Sequence, residues 1–63
     1  MESIDDFNER INNIKYDLWE KANKASNEKV RLAYHSLANR YEFARRVFNQ
    51  FFEDGTISIE DLP

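Results

Sequence analysis

Three adjacent carboxylate pairs, one histidine and one glycine turn are the residues of this chain whose types could do chemistry. The pairs are Asp5-Asp6, Glu53-Asp54 and Glu60-Asp61; the histidine is His35; the turn is Asp54-Gly55-Thr56-Ile57. General acid–base catalysis needs two carboxyls converging on a sheltered cleft, in environments that separate their pKa values. Asp5 and Asp6 follow Ser3 at the start of a helical pattern, where the helix dipole already favours negative charge. Glu53 and Asp54 sit at the opposite end of such a pattern and read as solvated. His35 has no acid, base or nucleophile beside it in its own pattern and reads as a rim residue. The turn carries a glycine followed two residues later by isoleucine, as in the middle of a calcium loop. Aligning Gly55 with that glycine, however, puts Gln50 and Phe52 where the first two oxygen ligands belong and Asp61 where a bidentate Glu is preferred. No catalytic residue, metal site or cofactor is expected, and the chain reads as non-enzymatic.

The residues that remain notable suit binding. Tyr16 and Trp19 lie off the apolar stripe of their own helical pattern, and Leu32 and Phe43 lie on the back of theirs, with Arg40 and Arg46 nearby. Aromatic rings and arginines grouped on a surface suit a protein interface, and these six are the expected partner-binding residues. A second reading uses the basic residues Lys21, Lys24, Lys29 and Arg31 to attract phosphate, with an aromatic ring available to stack on bases. The acidic overall balance argues against it.

Two amphipathic helices must position these side chains. Ile4, Phe7, Ile11, Ile14 and Leu18 step by three and four residues, so the spacing predicts a helix over about 4–24, opened by a Ser3/Asp6 capping pattern. From Glu28 to Phe52 a second stripe, Tyr34, Leu37, Tyr41, Ala44, Phe48 and Phe51, predicts a helix over about 27–53. Val30, Ala33, Ala38, Val47 and Phe52 widen that face, which is expected to cover the first helix. Gly55 ends the second helix, and residues 55–63 read as a short extended tail in which Ser58 and Asp61 could cap one helical turn. Residues 21–29 contain no Gly or Pro, so one long continuous helix in a coiled-coil-like assembly is the alternative. It would align Tyr16 and Trp19 with Val30, Ala33 and Leu37. The phase shift between the stripes favours a reversal, with Ser26 or Asn27 opening the second helix.

The expected fold is therefore all-α: one domain over 1–63, a two-helix antiparallel hairpin that self-associates into a helical bundle. With 63 residues and no cysteine, neither a large core nor disulfides can stabilise it, which leaves association. This architecture resembles small helical-hairpin dimers that form antiparallel four-helix bundles; the likeness is one of architecture, and no residue roles follow from it. Charge is segregated. Residues 1–20 hold six acids and two bases, 21–46 hold seven bases and two acids, and 47–63 hold four acids and no base, for a net −3. The acidic start, without an apolar run, is not expected to act as a signal peptide, no segment suits a membrane span, and the expected location is cytoplasmic. The function expected is that of a small regulator, adaptor or inhibitor that binds another protein or itself, with nucleic-acid binding as the alternative.

Overall fold

The computed structural model describes residues 2–62, so Met1 and Pro63, the two ends of the expected domain, lie outside the described residues. Two helices, α1 (Ile4–Lys24) and α2 (Glu28–Asp54), pack against each other as an antiparallel hairpin, with no strand among the described residues. A short 3₁₀ turn, Ile59–Asp61, stands where the tail was expected to be extended. The reason lies in Ser58 and Asp61. The Ser58 amide donates to Asp61 Oδ2 at 2.8 Å, and the Asp61 amide donates to the Ser58 carbonyl at 3.0 Å.

Each helix end is chemically specified. At the start of α1, Ser3 Oγ accepts from the Asp6 amide at 3.0 Å while Asp6 Oδ2 accepts from the Ser3 amide at 3.1 Å. This is a reciprocal capping box built with Asp in place of Glu. The reversal occupies residues 25–27. Asn27 caps α2 by accepting from the Lys29 and Val30 amides at 2.8 and 3.3 Å. Arg31 then reaches back to donate to the Ala25 carbonyl at 3.2 Å and pairs with Glu28 at 3.2 Å. That clip ties the first turn of α2 to the end of α1 without any Gly or Pro. At the far end Gly55 adopts φ 80°, the left-handed conformation that glycine takes at least cost.

The buried core is small. Phe7, Leu18, Ala22 and Ala38 are the buried apolar residues, together with Lys15. Phe7 meets Phe48 and Phe52 with ring centroids 5.4 and 5.5 Å apart. The hairpin is elongated, 43 × 19 × 16 Å, with a radius of gyration of 14.0 Å, against about 11 Å for a compact domain of this length. The first stripe, from Phe7 to Leu18 and Ala22, turns toward α2 as its spacing predicts.

The second stripe faces α1 only in part: Phe48 meets Phe7, and Ala38 and Phe52 of the widened face pack inward, but the centre of the stripe is rotated away. The α2 residues that face α1 are Ala38, Glu42, Arg45, Asn49 and Phe52, which step by four and three. The apolar stripe Val30, Tyr34, Leu37, Tyr41, Ala44, Phe48 and Phe51 steps the same way but lies one residue earlier. One residue is about 100° of rotation, so α2 is turned roughly a quarter away from the orientation its apolar pattern predicts. Tyr34, Tyr41, Ala44 and Phe48 end half-buried, while Val30, Leu37 and Phe51 are exposed, Leu37 to 41%.

Because the reversal depends on a side-chain cap rather than on glycine, Asn27→Ala should lower hairpin stability by about 1 kcal/mol. Urea unfolding at fixed protein concentration, followed by circular dichroism, measures this; an unchanged midpoint would show the cap is dispensable.

Candidate interaction surfaces

The hairpin has two long edges of different chemistry. On the first, the helices are joined by polar side chains. Lys15, only 9% exposed, places Nζ 2.5 Å from Glu42 Oε1 and donates to Asn12 Oδ1 at 3.2 Å. Arg45 donates to both Glu42 oxygens at 3.0 and 2.7 Å, and Arg46 donates to Oε2 at 2.8 Å. Three cations converge on one carboxylate, so the cluster carries net positive charge. Hydrogen bonds from Arg45 and Lys15, with a smaller one from Arg46, hold the Glu42 carboxyl far below the ordinary value of 4.5, against an opposing effect of burial. Two turns away, Asn8 and Asn49 exchange amide hydrogen bonds at 3.1 and 2.6 Å, and Asn49 also donates to the Arg45 carbonyl at 2.7 Å.

The expected partner-binding residues distribute over both edges. Tyr16 and Trp19 meet each other edge to face at 5.4 Å, Tyr16 at 60% and Trp19 at 37% exposure. Trp19 has a structural contact that spacing alone did not reveal: Lys15 Nζ lies 5.6 Å from its ring centroid, a cation–π contact over the ion pair. Arg46 is committed to Glu42. Leu32 and Phe43 are exposed, Phe43 to 70%. By helical phase both lie on the Lys15–Glu42 side of α2, about 16 Å apart along the helix. Arg40 is the exception. It lies on the opposite edge, where Leu37, Arg40, Tyr41 and Ala44 line a shallow groove of about 220 Å³.

The basic residues proposed for phosphate are largely committed within their own helices. Lys21 pairs with Asp17 at 3.1 Å and Lys24 with Glu20 at 2.8 Å, and each pair holds its lysine above the ordinary value. Arg31 closes the turn. Lys29 and Arg40 make no ion pair among the described residues. The cross-helix ion pair puts the base, Lys15, on α1 and the acid, Glu42, on α2. Asp17 and Glu20 reach only their i+4 neighbours. Glu42 with Arg45 and Arg46 at i+3 and i+4 was legible as an ion-pair pattern. Lys15 was hidden because a lysine beside an apolar stripe normally extends its ammonium to water.

No helix among the described residues is long and apolar enough to cross a membrane. Comparison with protein-family models, curated proteins and solved structures yields no significant match.

Glu42 links this cluster to pH. Its folded pKa is lowered, so its contribution is complete above the ordinary carboxylate range and is lost as pH falls below 4.5 toward the folded value. Glu42→Gln leaves Lys15 buried beside a neutral group and should cost about 1–3 kcal/mol near pH 7. The gap between wild type and variant should narrow as pH falls below about 4.5; Asp54, whose carboxyl is lowered by hydrogen bonds from Thr56, adds an acid dependence that both proteins share and that cancels in the gap. Denaturant unfolding at several pH values tests this; a gap independent of pH would contradict the linkage.

Proposed function

We propose that this chain is a non-enzymatic protein–protein interaction module, a small regulator, adaptor or inhibitor that works through helical surfaces and self-associates into a helical bundle. One observation carries the reading: the apolar stripe of α2 is only partly covered by its own hairpin, with Val30, Leu37 and Phe51 exposed. Among the described residues four apolar side chains are buried, and Val30, Leu37 and Phe51 stay partly exposed on one continuous line, with the groove at its centre. Its surface is 4859 Å², above the about 4,300 Å² expected for a compact monomer of this mass. Surface of this kind, apolar and flanked by polar residues, is the form that protein interfaces take.

The two edges suit two roles. The α2 stripe supplies self-association. The opposite edge, with Tyr16, Trp19, Leu32, Phe43 and Arg46 around a positively charged cluster, presents rings and a guanidinium to a second protein. Tyr, Trp and Arg are the side chains that dominate binding energy at such contacts.

Nucleic-acid binding is the second reading. It draws on the unpaired Lys29 and the positive cluster at Lys15, Arg45 and Arg46. It is the weaker one because Lys21, Lys24 and Arg31 are paired.

Leu37→Glu should weaken self-association by at least tenfold while leaving the helical circular dichroism unchanged, because Leu37 is exposed in the hairpin. Light scattering across a wide concentration range provides the measurement, and a wild-type chain that stays monomeric throughout would defeat the self-association part. No retention on a nucleic-acid matrix is expected even at low salt; retention that collapses steeply with added salt would favour the second reading instead.

A further inference from the structure

We infer that the α2 stripe is covered by a second copy of this chain packed antiparallel along it, with the groove at its centre receiving a side chain of that copy. The inference rests on the interaction reading above and specifies its partner, orientation and contact.

The groove has a defined form. Leu37, Arg40, Tyr41 and Ala44 stand at i, i+3, i+4 and i+7 around it. Four residues at that spacing form the hole into which one side chain of a facing helix inserts in knobs-into-holes packing. The hole is open because Ala44 is small where the positions seven residues apart along the same line, Val30, Leu37 and Phe51, are large. The lining is mostly apolar, so the inserted group is an apolar or aromatic side chain. The same stripe carries such groups, spaced alternately by four and three from Val30 to Phe51. A stripe that holds both the hole and the knobs is self-complementary, which an interface between two identical copies about a two-fold axis requires. The requirement for cover is internal as well, since the hairpin alone buries no large side chain completely.

Charge sets the orientation. The N-terminal end of α2 carries Lys29 and Arg31 against a single acid, Glu28, and its C-terminal end carries Glu53 and Asp54, followed by Glu60 and Asp61, with no base. Parallel copies would set like ends together and align their helix dipoles. Antiparallel copies bring the basic end of each against the acidic end of the other and oppose the dipoles. The register that opposes Tyr41 to Ala44 sets Lys29, which has no ion pair among the described residues, level with Thr56 of the second copy, within one helical turn of its Asp54. With the two-fold axis between Tyr41 and Ala44, the Tyr41 ring of each copy fills the hole over Ala44 of the other.

The chain has no cysteine, so Lys29→Cys and Asp54→Cys can be made singly and probed with a short bismaleimide. A covalent dimer is expected when the two variants are refolded together, and from neither variant alone. Ala44→Glu should weaken dimerisation at least tenfold with unchanged helical circular dichroism, since half-buried Ala44 lines a groove open to solvent, into which the longer side chain can extend. If light scattering shows a dimer but each single variant cross-links with itself, or no sample cross-links at all, the antiparallel arrangement is wrong while self-association stands. A dimer of undiminished affinity in Ala44→Glu overturns the insertion into the hole. A wild-type chain that remains monomeric overturns both this arrangement and the self-association beneath it.

Discussion

The contact between Lys15 and Glu42 governs the arrangement of this hairpin. A buried ammonium without an anion is costly, and on α2 Glu42 is the acid that lies on the face turned toward α1. Glu28 is held by Arg31 at the first turn, and Glu53 and Asp54 lie at the last. Burial of an ion pair adds little net stability, because desolvation offsets most of the attraction. Its effect is selective: any register or rotation that separates the two leaves the part-buried ammonium without its anion, at a cost of about 1–3 kcal/mol. Asn8 and Asn49 repeat the constraint seven residues away on each helix, with the same register. Both devices reject misaligned hairpins more strongly than they stabilise the correct one.

That selectivity has a consequence for the rest of the surface. The polar line on α2 and the apolar line run one residue apart, so a helix that turns Glu42 and Asn49 inward must turn Leu37 and Phe51 outward. Ala38 permits the close approach that this orientation needs, and Phe7 closes the open end against Phe48 and Phe52. The hairpin thus trades core for register. A chain of this length has few apolar residues to spare, and placing most of the α2 stripe outside the core leaves the isolated hairpin marginal by the ordinary scaling of buried surface with size.

Much of the secondary structure was legible in the sequence because it is local. The caps at Ser3, Asn27 and Gly55 act within three residues of themselves, and the three-and-four spacing of apolar residues reports helix whatever it packs against. The packing was less legible because it rests on residues 27 and 41 positions apart. Spacing assigns an apolar stripe to the inside by default, and nothing local to α2 reveals that Lys15 competes for its orientation. The same blindness affected Trp19, whose ring covers Lys15 as well as facing solvent, and Arg31, whose guanidinium closes a turn. Leu32 and Phe43 were placed correctly as outward-facing because that required only the phase of their own helix.

The two edges differ in what kind of contact each can sustain. An apolar line interrupted by one small residue recognises shape, and its attraction persists in salt because it comes from removing apolar surface from water. The opposite edge sets Trp19 beside a positive cluster whose outer member, Arg46, is exposed, so any attraction it exerts depends on charge and weakens as ions screen it. This separation depends on the one-residue offset between the two lines of α2. If they coincided, Glu42 and Leu37 would compete for the same burial, and the apolar line and the charged cluster would share a single edge.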